Sequence, residues 1–567
     1  MILLNPTRHD RPYPDQRSAE VMRKTIEFFE TKGKERLLED YSSHVWYADF
    51  LHFVKEHRLF ATMCTPAGEG APDARWDTWR ISEFAEILAF YGLQYWYVWQ
   101  VSVLGLGPIW MSANGALRSR AARALEDGGI FAFGLSERAH GADIYSTDMV
   151  LARHGDEWRA NGRKYYIGNG NAAALVSTFG RFADRDEYAF FVADPQHADY
   201  HLIRNVCASQ NYVAEFELRD YPVRDVEILH RGREAWNAAL NTVNIGKYNL
   251  GWASIGICTH ALYEAITHAH NRVLYGMRVT DFSHVRQMFV DAYCRLVAMK
   301  LFALRAADYM RVASSQDRRY LLYNPMVKMK VTTQGEEVVN LLWDAIAAKG
   351  FERDMYFSQA AVDIRALPKL EGTVHVNIAL IVKFMPNFFF NPGEYPDVPT
   401  QNQAANDDFL FHQGDAKGLG QIRFNDYHRA FEGWDLPNVR TFLEQVEVFR
   451  GLLAADPPGP DQMKDVDFLL AGGEIFASVV YAQLLLENAR LYRDRGIDDD
   501  LVDQIFDVLV RDMSRYALQL YSKPLTTSQQ MERCQQMLRR PAPDPARYAR
   551  VWEKQVLPLD GAYVMHR

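Results

Sequence analysis

The sequence predicts a mainly α-helical protein with a small β-barrel domain in the middle of the chain. Three observations support this fold class. Apolar residues recur at helical spacing in the first third of the chain, for example between Val21 and Phe29. From residues 127–129 (DGG) to about Leu229 the pattern becomes a series of short apolar runs separated by turn residues, as in a small barrel. After Arg233 helical spacing returns.

These changes of pattern divide the chain into five predicted segments. They are an N-terminal α-helical domain (1–128), a β-barrel domain (129–232), a four-helix bundle domain (233–386), a connector (387–438) and an additional C-terminal helical domain (439–567). The bundle is expected from an amphipathic face between Val285 and Val297 and from a long helix between about Pro325 and Ala348. The connector is irregular but rich in aromatic residues, so we expect it to pack on the surface.

Inside the predicted barrel domain, one dipeptide gives a strong local signal. Asn161-Gly162 lies between two strand-like runs, and both residue types tolerate positive φ angles. We therefore expect a hairpin turn at this position.

An aromatic stretch in the N-terminal domain has two interpretations. It runs from Tyr95 to Met111, and its large side chains either line a pocket or belong to the core, which is the favoured reading. They are Trp96, Tyr97, Trp99 and Trp110.

The composition excludes several classes of function. The net charge of −9 argues against a nucleic-acid-binding protein, which needs a basic surplus. The five cysteines are scattered without a CxxC pair, which predicts no metal site and suits a reducing cytoplasm. The polar, proline-containing N-terminus does not read as a signal peptide, and no run of 18 apolar residues predicts a transmembrane segment. We therefore expect a cytoplasmic protein.

Four short motifs carry the functional information. The first is LSERAHGAD at 135–143, and the second is NGRKYYIGNG at 161–170. The third runs from Arg272 to Ser283 and begins RVLYG. The fourth is LPKLEGTVHVN at 367–377, with AAKGF upstream at 347–351. Taken alone, the acid of the fourth motif reads as a loop residue between two helices, because a proline and a glycine flank it.

In this order and at this spacing, the four motifs resemble those of the acyl-CoA dehydrogenase family of flavoproteins. The resemblance covers about residues 20–385, and the C-terminal helices resemble the additional domain of the very-long-chain branch in length and helicity. It implies FAD as the cofactor, an acyl-CoA substrate and an electron-transferring flavoprotein as electron acceptor. It also implies a homo-oligomer, a dimer by the likeness of the C-terminal domain.

The resemblance assigns the catalytic base to Glu371. Some members of the family place the base on the first bundle helix instead, but that position is Gly246 here and has no side chain. The remaining roles also follow from the resemblance. Flavin contacts fall on Phe133, Leu135, Ser136, Tyr166, Gly168, Arg272, Tyr275, Ser283, Asp344, Ala348, Thr373 and His375. Substrate contacts fall on Gly141, Ala142, Lys247 and Gly372.

Several of these positions depart from the family pattern. Gly168 stands where a hydroxyl side chain reaches flavin N5, so only its main-chain N–H remains. Ala142 replaces a serine of the thioester pocket, and Ser283 replaces a glutamine. Ala347 and Ala348 replace paired glycines near the flavin of a neighbouring subunit. Arg272 keeps the arginine that crosses the subunit interface to the partner's FAD pyrophosphate, a role that suits a planar guanidinium.

The function implied is FAD-dependent α,β-dehydrogenation of an acyl-CoA thioester to a trans-2-enoyl-CoA, as in fatty acid β-oxidation. Glu371 would remove the α-proton while the β-hydride passes to flavin N5, and a dry aromatic pocket should raise the carboxyl pKa toward the working pH. Three alternatives stay open. They are an oxidase in which oxygen reoxidises the flavin, a flavin enzyme acting on a nitroalkane or a carrier-bound acyl chain, and a non-catalytic relative that binds acyl-CoA.

Overall fold

The computed structural model describes residues 2–9, 12–141, 143 and 145–566, and it confirms the predicted fold class. The N-terminal part consists of helices. They are α1 (Gln16–Lys32), α2 (Lys34–Ser42), α3 (Ala48–Glu56), α4 (Leu59–Cys64), α5 (Thr78–Tyr91), α6 (Leu93–Met111) and α7 (Gly115–Glu126). Helix α6 is buried over nearly its whole length, which explains why its residues are apolar on every face.

The middle of the chain forms one eight-stranded mixed sheet. Its strands are β1 (Phe131–Gly134), β2 (Val150–His154), β3 (Glu157–Gly168), β4 (Leu175–Phe182), β5 (Tyr188–Ala193), β6 (Tyr200–Asn205), β7 (Val213–Val223) and β8 (Ile228–Arg231). The hydrogen-bonded order runs β6-β7-β3-β2-β4-β5-β8, and β1 pairs in parallel with β4. The sheet encloses its own apolar core, separate from the large core of the helices.

The hairpin turn expected at Asn161-Gly162 was a wrong prediction. Both residues lie inside β3, and the turn between β2 and β3 is at Gly155-Asp156. Gly162 sits at an irregularity in the pairing of β3 with β7, where a Cβ would lie 2.8 Å from the Cα of Met149. Asn161 accepts a hydrogen bond from the main-chain N–H of Asp220 on β7. The dipeptide therefore marks a β-bulge, which demands the same backbone freedom as a tight turn.

The helices after the sheet form the bundle that carries the site. They are α8 (Gly232–Gly246), α9 (Asn249–Asn271), α10 (Ser283–Arg311), α11 (Tyr320–Met326), α12 (Thr332–Ile346), α13 (Phe357–Ala366) and α14 (Val374–Ile381). A short exposed hairpin of β9 (Val273–Leu274) and β10 (Met277–Arg278) joins α9 to α10. A π-helical turn, Val327–Val331, connects α11 to α12.

The last part of the chain begins with the connector, which contains two short helices, and continues as further helices. They are α15 (Met385–Phe390), α16 (His428–Phe431), α17 (Pro437–Ala455), α18 (Val466–Leu491), α19 (Asp499–Tyr521), α20 (Ser528–Met537) and α21 (Pro545–Val551). In the described part of the chain, α18 is the one helix long and apolar enough to cross a membrane by length and composition. It packs on α10, α14 and α19, and 78% of its most apolar stretch is buried inside the structure.

The end of the chain packs on its beginning. The Tyr563 hydroxyl donates a hydrogen bond to Glu30 on α1 at 2.8 Å, and the Asn5 side chain donates to the carbonyl oxygen of Ala562 at 3.0 Å. The main-chain N–H of Lys34 donates to the carbonyl oxygen of His566 at 2.8 Å. Residues 562–566 therefore pack against the N-terminal helices α1 and α2.

Candidate active site

Glu371 lies on a strained loop between α13 and α14. Its φ angle is +52°, and that of Gly372 is +86°, so two consecutive residues adopt the left-handed conformation. This conformation is unfavourable for a residue with a side chain and persists only where surrounding contacts hold it. Thr373 then caps α14, its hydroxyl accepting from the N–H of Val376 at 3.4 Å.

A buried lysine side chain stabilises this loop through hydrogen bonds to its main chain. The Nζ of Lys328 donates to the carbonyl oxygen of Pro368 at 2.7 Å and also to that of Gly372. Lys328 lies in the π-helical turn after α11, a local widening of the kind often found at functional sites. One ammonium group thus ties together the two ends of the Glu371 loop.

The Glu371 carboxylate is oriented by a relay of amide side chains. Nε2 of Gln100, on α6, donates to Oε1 of Glu371 at 2.7 Å and to the carbonyl oxygen of Gly246 at 3.0 Å. Asn249 donates to Oε1 of Gln100 at 3.0 Å, which fixes the orientation of that amide. Oε2 of Glu371 is buried and has no hydrogen-bond partner among the residues described.

The alternative position of the base is sterically closed. A Cβ on Gly246 would lie 2.5 Å from Leu104, 3.0 Å from Nε2 of Gln100 and 3.4 Å from Oε2 of Glu371. Gln100 and Leu104 therefore occupy the space that a side chain at position 246 would need. Of the two positions compared, 246 and 371, residue 371 is therefore the one that carries a carboxylate.

Burial dominates the electrostatics of the site. It raises the pKa of Glu371 to about 7, although the Gln100 hydrogen bond and the Lys328 and Lys247 cations act in the opposite direction. Burial also lowers the pKa of Lys247 to about 8 and that of Lys328 to about 7, against the attraction of Glu371. A carboxyl group with a pKa near neutrality can both accept and return a proton.

These residues surround a cavity of about 750 Å³, a size typical of cofactor and ligand sites. The structure brings many of the predicted site residues together on its wall. They are Phe133, Leu135, Ser136, Gly141, Tyr166, Gly168, Lys247, Glu371, Gly372 and Thr373. Tyr97 also lies on this wall, whereas Trp96, Trp99 and Trp110 are buried in the core.

Other predicted site residues do not reach this cavity. Those that the structure describes are all exposed on the surface of the single chain: Arg272, Tyr275, Ser283, Asp344, Ala348 and His375. Tyr275 is 96% exposed on the tip between β9 and β10, next to the exposed Val273 and Leu274. Ala142, predicted to bind substrate, lies outside the described residues.

One wall of the cavity suits a flat aromatic cofactor such as the predicted FAD. Tyr166 has a φ angle of +67°, and the residue is 44% exposed although Ile167 and Gly168 beside it are buried. A Cβ on Gly168 would lie 2.7 Å from the Tyr97 ring and 3.0 Å from its hydroxyl. Tyr97 and Val101 thus fill the space that a side chain at position 168 would need, and the Tyr97 hydroxyl lies close to it.

Replacing Gly168 by alanine should therefore lower the free energy of unfolding by about 1–3 kcal/mol, because the methyl group overpacks against Tyr97 and Val101. Urea denaturation of the full chain measures the loss. The matched control is Gly451→Ala, within helix α17, where a Cβ meets no atom within 4 Å. A Gly168→Ala chain as stable as the control chain would show that the wall has room for a side chain.

One group of possible metal ligands lies at the edge of the cavity. Glu137, His140 and Asp148 offer atoms within 4.8 Å of one another. Glu137, however, pairs with the buried Lys164 at 2.6 Å and accepts hydrogen bonds from the Thr147 hydroxyl and the Asp148 N–H. These contacts indicate that Glu137 stabilises the backbone around the first motif, residues 135–143.

Sequence reasoning missed two residues that bond to Glu371 or its loop, Gln100 and Lys328. Gln100 did leave a signal, because it is a polar residue inside the apolar helix α6. Lys328 left none, since a lysine between Met326 and Met329 reads as an ordinary helix residue.

Comparison with known proteins supports the resemblance read from the motifs. Residues 234–385 match the family model "Acyl-CoA dehydrogenase, C-terminal domain". A similar protein is the caffeyl-CoA reductase-Etf complex subunit CarC of Acetobacterium woodii, 27% identical over 32% of this chain and 49% of its own length. Human mitochondrial short-chain specific acyl-CoA dehydrogenase is 22% identical over 44% of this chain and 61% of its own length.

Solved structures are similar over longer stretches. The acyl-CoA dehydrogenase of Bacillus anthracis, complexed with FAD, superimposes with a TM-score of 0.70 over 98% of this chain and 97% of its own, at 14% identity. Butyryl-CoA dehydrogenase of Megasphaera elsdenii gives 0.58 over 66% and 98%, at 17% identity. The matched stretches cover about half to two thirds of the curated relatives' length. None of these matches bears on the predicted likeness to the very-long-chain branch, which stays a prediction.

Proposed function

We propose that this chain, which has the fold of the acyl-CoA dehydrogenases, is a FAD-dependent oxidoreductase that converts an acyl-CoA thioester to a trans-2-enoyl-CoA. The observation that carries the proposal is the placement of Glu371. Its buried carboxylate, with a pKa near 7, lies on the same cavity wall as the exposed ring of Tyr166. A base beside a surface for a flat ring is the arrangement that removal of a proton and a hydride from adjacent carbons requires.

In this proposal Glu371 removes the α-proton through Oε2. Oε1 is already engaged by Gln100, whereas Oε2 is buried without a partner among the described residues. Lys247 and Lys328 stabilise the carboxylate before the proton is transferred. The main-chain N–H of Glu371 would donate to the thioester oxygen, where negative charge develops. FAD, when bound, supplies the acceptor for the hydride that leaves Cβ.

Tyr97 takes the role left vacant by Gly168. Its hydroxyl lies on the cavity wall, 3.0 Å from the point where a Cβ of residue 168 would be. Burial raises the pKa of this phenol well above its ordinary value, so it stays protonated at neutral pH and able to donate a hydrogen bond. This accounts for an intact site without a side chain at position 168.

Activity should rise as the pH increases through about 7, because only ionised Glu371 accepts a proton. Gln100→Leu removes the hydrogen bond to the ionised form, so the Glu371 pKa should rise and the acid limb of the pH–kcat/KM profile should move up by about one pH unit. The other titratable groups that face Glu371, namely Lys247, Lys328 and Tyr97, are unchanged. The control is Gln94→Leu, on the same helix but bonded to Gln359. Equal profiles for the two variants would exclude Gln100 as the residue that sets this pKa.

The test of the proposed function is anaerobic bleaching of the flavin spectrum by acyl-CoAs of graded chain length. Bleaching by some chain length is the expected result. Reoxidation by an electron-transferring flavoprotein would identify a dehydrogenase, and one similar protein is named as a subunit of an Etf complex. Hydrogen peroxide formed in air would identify the oxidase alternative. A colourless protein that binds acyl-CoA but retains no FAD would indicate a non-catalytic relative and refute the proposal.

The exposed residues of the third motif support a homodimer. Next to the exposed Arg272, the hairpin exposes the apolar side chains of Val273, Leu274, Tyr275 and Met277. A group of exposed apolar side chains is typical of a subunit contact. We propose that they contact the cofactor of a second copy of the chain. Light scattering should give a mass about twice the 65.2 kDa of one chain, and a monomeric mass would contradict this.

A further inference from the structure

A segment of the connector, residues 412–421, forms one end of the cavity. Gln413, Ala416 and Leu419 line it together with residues of α8 and of the stretch from Thr373 to Lys383. The segment lies outside residues 234–385, which the family model matches. It is therefore a wall that the family motifs do not describe.

The bundle holds this segment firmly. Two asparagines of α8 bond to it: Asn237 donates to Oδ1 of Asp415 at 2.9 Å, and Asn241 donates to the carbonyl oxygen of Gly414 at 2.9 Å. The Tyr320 hydroxyl donates to Gln413 at 2.6 Å, and Arg318 donates to the carbonyl oxygen of Lys417 at 3.2 Å. These contacts indicate a fixed wall rather than a mobile loop.

The segment lies at the opposite end of the cavity from Glu371. Helix α8 and Lys247, the residue after it, line the cavity from Trp236 onward, and the helix end at Gly246 lies beside Glu371. The segment is bonded instead to Asn237 and Asn241, nearer the start of α8. On the other side the lining runs from Thr373, next to Glu371, to Lys383, where the segment packs against the helix end. Ten helical residues rise about 15 Å, which estimates the length of the canal.

This distant end carries positive charge that the protein leaves uncompensated. Lys383 lines the cavity, is exposed, and makes no ion pair or hydrogen bond within the part of the chain that the structure describes. Arg318 also lines it, and its described hydrogen bonds go to main-chain carbonyl oxygens of residues 415 and 417. By contrast, Lys369 on the same wall is paired with Glu336. A cation without a carboxylate partner at a cavity mouth is available to an anionic ligand.

We propose that Lys383 and the 412–421 segment form an anion subsite that binds the phosphate at the far end of a pantetheine arm whose thioester lies beside Glu371. The inference rests on the proposed function and deepens it. About thirteen single bonds separate the sulfur from that phosphorus, the equivalent of four extended residues and hence about 15 Å. This length matches the canal. The phosphate is common to coenzyme A and to the phosphopantetheine group of a carrier protein.

The test is calorimetric binding of 4′-phosphopantetheine and of pantetheine to the full-length protein, which requires no turnover. Wild type should bind the phosphorylated ligand at least about tenfold more tightly, as expected for a charge-assisted hydrogen bond. Lys383→Ala should remove most of that preference and leave pantetheine binding unchanged. The control is Lys464→Ala, an exposed lysine between α17 and α18 that does not line the cavity. It should keep the preference.

Two results would overturn the subsite. One is equal binding of the two ligands to wild type, and the other is a preference that survives in Lys383→Ala. Parallel titrations with butanoyl-CoA and with a butanoyl-carrier protein identify the source of the phosphate, because Lys383→Ala should weaken the natural donor by the larger factor. A protein that binds phosphopantetheine through Lys383 but is not bleached by any thioester would refute the proposed reaction and leave the subsite standing.

Discussion

Replacing Glu371 by glutamine should slow reduction of the flavin by acyl-CoA by about 10²- to 10⁴-fold, the contribution of a positioned general base. Glutamine has nearly the same shape, and its carbonyl oxygen can still accept the hydrogen bond from Gln100. It cannot accept a proton. Because Lys328 holds the loop through main-chain carbonyl oxygens, the backbone of the variant should keep its conformation. The measurement is stopped-flow bleaching of the flavin under anaerobic conditions.

The variant should retain FAD, so its visible spectrum before mixing serves as an internal standard. Glu336→Gln is the matched control, since Glu336 is an acid on the neighbouring helix α12 whose described partner is Lys369. It should bleach at the wild-type rate. Bleaching of Glu371→Gln at that same rate would remove Glu371 from the mechanism.

The second large effect is expected at Lys328, which acts on the reaction through Glu371 and its loop. Lys328→Met removes the hydrogen bonds to the carbonyl oxygens of Pro368 and Gly372 and the cation beside the base. A base displaced by about 1 Å can lose about 100-fold in rate, and we expect a loss of that order. The Glu371 pKa should also rise once the cation is gone, so the acid limb of the pH–rate profile should move to higher pH.

The chain contains a close control for this variant. Lys330 is a second buried lysine of the same π-helical turn, but it donates to Ser478 and Tyr516 on the opposite side. Lys330→Met should reduce stability in a similar way and leave the pH–rate profile unchanged. If both variants lose activity equally and neither profile moves, Lys328 has only a structural role.

The sequence predicted a role for Glu371 but could not predict the contacts that hold its carboxylate and its loop. Motif spacing drew attention to Glu371, because a resemblance to a family is read from the separation of its motifs along the chain. The Gln100 hydrogen bond joins residues 271 positions apart, and the left-handed loop of Glu371 is held by Lys328, 40 positions before Pro368. No local pattern records these contacts. Asn161-Gly162 illustrates the same limit, because a β-bulge and a tight turn both need residues that tolerate unusual backbone angles. Which of the two forms depends on the pairing of β3 with β7, which the local sequence does not show.

The exposed motif residues show a second limit of prediction. Arg272 and Tyr275 were assigned to the cofactor, yet in one chain both lie at the surface. A sequence motif can reflect contacts with a second subunit. The structure of a single chain shows only the contacts within that chain. Gly168 is the opposite case. The sequence showed a missing hydroxyl, and the fold places the Tyr97 side chain, with its hydroxyl, next to that position.

The contact between the two ends of the chain has a consequence for biosynthesis. Glu30 and Tyr563 are separated by 533 positions. At a translation rate of roughly 5–20 residues per second, the ribosome needs about half a minute to two minutes to make that stretch. During that interval the faces of α1 and α2 that receive residues 562–566 remain uncovered in the nascent chain. Chaperones can therefore bind these faces of the early helices until residues 562–566 are made and cover them.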